Sequence, residues 1–165
     1  MPAIKHQITP CLWFDTQAEE AAKFYVSIFE NSRLKRISRY GKVGRETHGK
    51  EAGSVLTVEF EINGQTVVAL NGGPLFTFNE AVSFQVACES QDEIDYFWNR
   101  LSDGGQESSC GWLKDKYGVS WQIAPSSLPQ MLTDADSSRS ERAMAALLKM
   151  KKFDLATLQR AYAGQ

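Results

Sequence analysis

Two stretches of the chain repeat one pattern of apolar and polar positions. Ile8-Thr9-Pro10-Cys11-Leu12-Trp13-Phe14-Asp15 and Val82-Ser83-Phe84-Gln85-Val86-Ala87-Cys88-Glu89 each alternate and then reach an acid, 74 positions apart without a gap. Alternation with a period of two predicts a half-buried strand. Behind each strand stands a hydroxyl residue with a Glu three positions on, Thr16-x-x-Glu19 and Ser90-x-x-Glu93. That is the pattern of a capping box, in which the hydroxyl accepts from an orphan N–H and the Glu reaches back. The helices predicted behind the boxes carry Ala18, Ala21, Ala22, Tyr25 and Phe29 on one stripe, and Ile94, Phe97 and Leu101 on the other. Gly104-Gly105 ends the second, as glycine does just past a helix.

Three strands are predicted after each helix. In the first half they are 33–40, 54–62 and 65–71, with Asn63-Gly64 as a two-residue hairpin turn and the glycine-rich segment 41–53 as a loop. In the second half they are 106–110, 111–115 and 119–124. The chain therefore reads βαβββ twice. A repeat of about 75 residues is too long for a solenoid unit and reads as a duplicated module. Ser138-x-x-Glu141 forms a third box opening a helix to about Met150, and Asp154 caps a last helix carrying Leu155, Leu158 and Tyr162, closed by Gly164. The expected organisation is one domain over 1–132, made of modules at about 4–74 and 80–125, with 133–165 as a helical extension. Its apolar stripes must be covered, so it joins a dimer or braces the domain.

Alternation also sorts the faces. Leu12 and Phe14, like Phe84, Val86 and Cys88, suit packing under a helix, which leaves Thr9, Cys11 and Trp13, and Ser83, Gln85 and Ala87, on the other side. In the last strand Trp121 belongs to the core set and Gln122 to the opposite one. The hairpin turn pairs Ile62 with Gln65, Phe60 with Val67, Val58 with Ala69, and Leu56 with Asn71. With Thr57, Glu59 and Glu61 as its wet row, Val58, Phe60, Val67, Ala69 and Asn71 are expected to point inward. The expected inner lining is thus Thr9, Cys11, Trp13, Phe60, Ala69, Asn71, Ser83, Gln85 and Gln122. Apolar groups with a few neutral hydrogen-bonding side chains make a small-molecule pocket; a sheet face packed shut accounts for the same residues. Trp112 adds a ring for stacking, and Lys114 either an ammonium for an anion or a solvated strand end.

Composition narrows the partners. Lys plus Arg is 18 and Asp plus Glu is 20, a net charge of −2. Phosphate neutralisation needs a basic face, which this balance does not favour, so a nucleic-acid partner is not expected. The longest plain apolar run, 143–148, falls far short of a membrane span of about 20 residues. Cys11, Cys88 and Cys110 are odd in number and include no C-x-x-C pair, which indicates neither a disulfide framework nor a zinc knuckle. The first residues lack the apolar run of a secretory signal, so the expected compartment is the cytoplasm.

The double βαβββ pattern resembles the vicinal oxygen chelate superfamily, the glyoxalase and bleomycin-resistance fold. The resemblance is closest to its PhnB-like branch, whose members often carry the name 3-demethylubiquinone-9 3-methyltransferase. It is carried by Ile8-Thr9-Pro10-Cys11-Leu12-Trp13-Phe14-Asp15, Ala69-Leu70-Asn71-Gly72-Gly73-Pro74, Phe78-Asn79-Glu80-Ala81-Val82-Ser83-Phe84-Gln85 and Cys110-Gly111-Trp112-Leu113-Lys114-Asp115-Lys116-Tyr117-Gly118-Val119-Ser120-Trp121-Gln122. It implies an α+β fold whose two modules form a cup-shaped mixed sheet, usually in a homodimer. It also implies that the positions matching the ligands of metal-dependent relatives are Thr9, Asn71 (or Ala69), Ser83 and Gln122. Those are neutral and weak donors for zinc, nickel or iron, and the two histidines, His6 and His48, lie outside the strands. No cofactor is therefore expected. The methyltransferase name also lacks its residues: Gly72-Gly73-Pro74 leads into Leu75-Phe76-Thr77-Phe78, not into a helix of a dinucleotide-type βαβ unit.

The expected function is binding of a small apolar or aromatic molecule in a metal-free cup through Cys11, Trp13, Phe60, Asn71, Ser83, Gln85, Trp112, Lys114 and Gln122. The alternative is an enzyme acting on a small metabolite, either lyase- or dioxygenase-like with a metal held by unusual ligands or shared across a dimer, or a methyltransferase as the family name says.

Overall fold

A computed structural model describes residues 8–165; His6 lies outside them. The chain divides into two compact units, one reaching Thr77 and one running from Phe78 to Gln165. The first contains β1 (Cys11–Phe14), α1 (Ala18–Ile28), β2 (Arg33–Arg39), a single turn α2 (Arg45–His48), β3 (Val55–Ile62) and β4 (Gln65–Asn71). The second contains β5 (Phe84–Cys88), α3 (Gln91–Ser102), β6 (Gln106–Glu107), β7 (Trp112–Lys114), β8 (Ser120–Pro125), α4 (Leu128–Leu132), α5 (Ser137–Leu147) and α6 (Leu155–Ala163). The sheets have orders β1-β4-β3-β2 and β5-β8-β7-β6, with the first pair of each parallel and the rest antiparallel. The fold is α+β with βαβββ repeated, as the sequence pattern predicts.

The hairpin forms because Asn63 and Gly64 both take left-handed backbone, φ 45° and 78°, the requirement of a two-residue turn that matches strand twist. Its register is the expected one, Ile62 beside Gln65, Phe60 beside Val67, Val58 beside Ala69. Onto this sheet α1 lays Ala18, Ala21, Ala22 and Tyr25, all fully buried, with Tyr25 stacked on Phe60 at 6.1 Å. Its last buried residue is Ile28 rather than Phe29. In α3 the buried stripe is Ile94, Trp98 and Leu101, with Trp98 in the place expected of Phe97. The Trp98 indole donates to Glu107 at 3.0 Å, so its one polar atom is satisfied.

Only one of the three capping boxes forms as written. Ser90 Oγ accepts from Glu93 N–H at 3.2 Å, and Glu93 reaches back to the Glu89 N–H at 2.7 Å. At α1 the N-cap is Gln17, without a side-chain bond, and the Ala18 N–H is met instead by Asn71 Oδ1 of β4 at 2.8 Å. At α5 the cap is Asp136, which accepts from Ser138 N–H at 2.9 Å, so the helix is capped two residues before the expected Ser138. Asp154 caps α6 and Gly164 closes it at φ 83°, as expected.

The extension is built into the second unit. Met150 and Lys151 carbonyls accept from Cys110 and Gly111 N–H at 2.8 and 2.7 Å. The Gln91 amide clamps the chain beyond them, donating to Phe153 O at 3.1 Å and accepting from Leu155 N–H at 2.8 Å. Phe153 is buried against Gly111, where a Cβ would stand 2.5 Å from its ring and 2.6 Å from Ile123 O. Arg142 of α5 donates to the Ala161 and Tyr162 carbonyls, both at 3.1 Å, which ties off the last turn of α6.

Candidate functional site

Residues side by side in a register point to the same face of a sheet. In the first sheet Leu12 lies beside Ala69 and Phe14 beside Asn71, whereas Cys11 lies beside Val68 and Trp13 beside Leu70. Across the hairpin Leu70 continues to Thr57 and Val68 to Glu59. The free face therefore carries Cys11, Trp13 and the wet row Thr57, Glu59 and Glu61. Phe60, Ala69 and Asn71, expected on that face, lie on the other one, beneath α1. The reason is that a helix covers the apolar row of the hairpin, and the parallel register then puts Cys11 and Trp13 with the charges.

Phe60 is consequently fully buried under Tyr25. Asn71 is a tie between elements. Its Oδ1 holds the start of α1, its Nδ2 donates to Val55 O at 3.1 Å, and its carbonyl accepts from the Tyr40 hydroxyl at 2.6 Å. The free face of this sheet is neutralised by its own charges. Lys35 Nζ lies 3.0 Å from Glu59 and 3.2 Å from Glu61, and Arg33 lies 2.8 Å from Glu61. Trp13 is also occupied. Its indole donates to Gly73 O at 2.8 Å, Phe76 meets it edge-on at 5.0 Å, and its ring lies where a Cβ on Gly72 would be 2.1 Å away. Cys11 is exposed, as is Thr9. The partial burial of the Cys11 thiol raises its pKa, which disfavours the reactive thiolate. Burial pushes the Cys88 thiol further, up to about 12, with Glu93 and Glu89 adding to it.

The second sheet keeps the expected faces. Trp121 is core, and its indole donates to Asp115 at 2.8 Å. Asp115 also accepts from Tyr117 and Val119 N–H at 2.9 and 3.0 Å, so this buried carboxylate fixes the β7–β8 turn. On the free face Trp112, Gln122 and Gln85 form one row, and Lys114 lies beside Ser120 in the next. Gln122 Nε2 donates to Ser83 Oγ at 2.9 Å. Gln85 is exposed, and Ser83, Trp112, Lys114 and Gln122 are half-buried. A hollow of about 400 Å³ is lined by Glu80, Gln106, Ser108, Cys110, Trp112 and Lys114 among others, and it brings Trp112 and Lys114 together but not Ser83, Gln85 or Gln122. Glu80, which precedes β5, is the partner of Lys114 at 2.6 Å. Nothing in the local sequence pairs two residues that far apart.

The donor positions implied for a metal do not fit one. Asn71 faces α1 with its amide committed, and Ser83 and Gln122 are bonded to each other. A transition-metal dication calls for imidazole, thiolate or carboxylate ligands. Among the described residues no three His, Cys, Asp or Glu side chains come together for that purpose. His48 packs on Tyr40 at 4.6 Å, and its Nδ1 accepts from the Lys50 N–H. Nor does Gly72-Gly73 suit a methyl-donor cofactor. The indole of Trp13 lies across Gly72, and the residues beyond form a turn, not a helix.

The family model for 3-demethylubiquinone-9 3-methyltransferase matches residues 6–124. Among solved structures the chain is similar to a PhnB protein from Bacillus cereus that carries the same methyltransferase name, with 37% identity and a TM-score of 0.63, covering 72% of this chain and 98% of that one. It shares its fold with protein PA1353 from Pseudomonas aeruginosa, at 18% identity and TM-score 0.58 over 73% of this chain and 98% of that one. The same holds for the fosfomycin resistance protein FosX from Listeria monocytogenes, at 16% identity and TM-score 0.52 over 79% and 99%. No curated protein matches the chain. Among the described residues no helix is long and apolar enough to cross a membrane. The family match over most of the chain, together with the Bacillus likeness, places this protein in the 3-demethylubiquinone-9 3-methyltransferase (PhnB-like) family, with a glyoxalase/bleomycin-resistance-like fold.

Proposed function

We propose that the protein binds a small, planar, mainly apolar molecule on the free face of its second sheet, without a metal ion. The observation that carries this is the row Trp112, Gln122, Gln85, with Ser83 beside it. The indole of Trp112 supplies a stacking surface and the exposed Gln85 amide a neutral donor and acceptor, with Ser83 and Gln122 bonded to each other beside it. Binding sites combine a large apolar surface with a few such groups. The first sheet differs, because its free face is saturated by ion pairs and by the Trp13–Gly73 bond. The reading includes a homodimer in the cytoplasm. Leu75, Phe76 and Val82 are exposed apolar side chains that a second copy would cover, and the three cysteines are unpaired, as in a reducing compartment.

Thermal-shift screening of planar aromatic compounds, followed by calorimetric titration with and without a chelator, tests the reading. A ligand that binds N and not U raises the melting temperature. We expect hits whose affinity is unchanged by the chelator and falls at least about tenfold in Trp112→Ala, the scale of a lost stacking partner plus its buried area. No hit, equal affinity in Trp112→Ala, or a requirement for divalent metal would overturn it. Light scattering against concentration reads the dimer directly.

A further inference from the structure

Lys114 breaks the neutrality of the free face of the second sheet. It stands two residues from Trp112 on β7, on the same side, a rise of about 7 Å. Its partner does not come from the sheet. Glu80 belongs to the turn leading into β5, and its side chain is 62% exposed against 30% for Lys114. The turn is pinned around it, with Asn79 O accepting from Ser120 Oγ at 3.3 Å and Asn79 Oδ1 accepting from Ala81 N–H at 2.9 Å. The bond from Lys114 holds the Glu80 carboxyl below the ordinary glutamate range, so Glu80 is ionised at neutral pH. A strand-borne ammonium thus meets a carboxylate delivered by a surface turn, beside the hollow that Trp112 also lines.

Water and salt weaken an exposed ion pair of this kind, so another carboxylate can take the place of Glu80. We infer that the ligand is an aromatic carboxylate whose ring lies on Trp112 and whose anionic group displaces Glu80 from Lys114. Glu80 is then a stand-in for the ligand, keeping the ammonium paired when the site is empty. The inference rests on the reading given under Proposed function and specifies its ligand.

The test is calorimetric titration at pH 7 with 2-naphthoate and its neutral isostere 2-naphthamide. Naphthoate should bind about tenfold more tightly than naphthamide, the size of one charge-assisted bond. Lys114→Met should abolish that preference and leave naphthamide binding intact. Glu80→Gln should strengthen naphthoate binding several-fold and leave naphthamide unchanged, since it removes a competitor that only the anion meets. Far-UV dichroism melts confirm that both variants are folded. Equal affinities for the two probes, or a preference that survives Lys114→Met, would overturn the inference while leaving small-molecule binding in place. Failure of both probes to bind wild-type protein would remove the reading on which it rests.

Discussion

α3 begins with Ser90 and Glu93 closing its first turn from within the local sequence, whereas α1 begins with an amide borrowed from β4, 53 residues away. The two modules pair their strands in the same order, yet one helix start is specified locally and the other only by the finished sheet. Their free faces differ as well. Ion pairs of Lys35 and Arg33 with Glu59 and Glu61 cover the first, while the second exposes amides and an indole. Duplicated topology therefore fixes where side chains stand and leaves open what they do. In the first module the charged groups of the free face pair with one another along the sheet; in the second Gln122 bonds Ser83 and the Gln85 amide stands exposed.

The largest effect should come where the extension enters the second unit. Phe153→Ala should cost about 3–5 kcal/mol, the range for emptying a buried aromatic site. Glycine substitutions extend the contrast. At Gly111 a methyl meets the Ile123 carbonyl and the buried Phe153 at positive φ, so Gly111→Ala should cost about 3 kcal/mol or more. At Gly72 the obstacle is the edge of the Trp13 indole, which can swing away at the loss of its bond to Gly73, so Gly72→Ala should cost about 1–2 kcal/mol. Urea melts of the variants by far-UV dichroism check all three. Equal costs at the two glycines would show that the extension does not lock the second unit more firmly than the aromatic pair locks the first.

Next in size is the capping contrast. Asn71→Ala strips a donor and an acceptor from buried backbone and should cost about 2–3 kcal/mol, whereas Ser90→Ala should cost about 1 kcal/mol. Similar costs, measured in the same melts, would break the distinction between a helix fixed by tertiary structure and one fixed by its own sequence.

These residues also show what could be read from the chain. Most strand positions, the Asn63-Gly64 register and the inward side of Trp121 followed from alternation and turn chemistry, which act over a few residues, although the strand expected over 106–110 is only Gln106–Glu107. Alternation divides each strand into two rows but does not say which row of β1 joins which row of the hairpin. That depends on the parallel register of β1 with β4, and it put Phe60 and Asn71 opposite Cys11 and Trp13. Thr16 and Ser138 had the right chemistry for caps, but the chain enters α1 at Gln17 and α5 at Asp136. The Lys114–Glu80 pair joins a strand to a distant turn and has no local signature.

The smallest effect concerns the charged face of the first sheet. The bond from Lys35 holds the Glu61 carboxyl below its ordinary range, with Arg33 adding to it. A carboxyl lowered by folding stabilises the protein above its unfolded value, about 4.3 for Glu, and that contribution is lost as pH falls through the lower folded value. Lys35, raised by Glu59 and then Glu61, contributes below the unfolded lysine value of about 10.4, and its share disappears as pH rises through the raised value. Between those limits Glu61 and Lys35 are both charged, and Glu61→Gln should leave the melting temperature at pH 7 almost unchanged, since exposed pairs contribute little. Its mark should appear in acid: the wild-type fall in melting temperature below about pH 4.3 should be shallower in Glu61→Gln, and about 0.5 M salt should narrow the gap between them. Melts across pH 3–7 at low and high salt measure this. An acid limb identical in the two proteins would mean that these charges neutralise one another without holding the sheet.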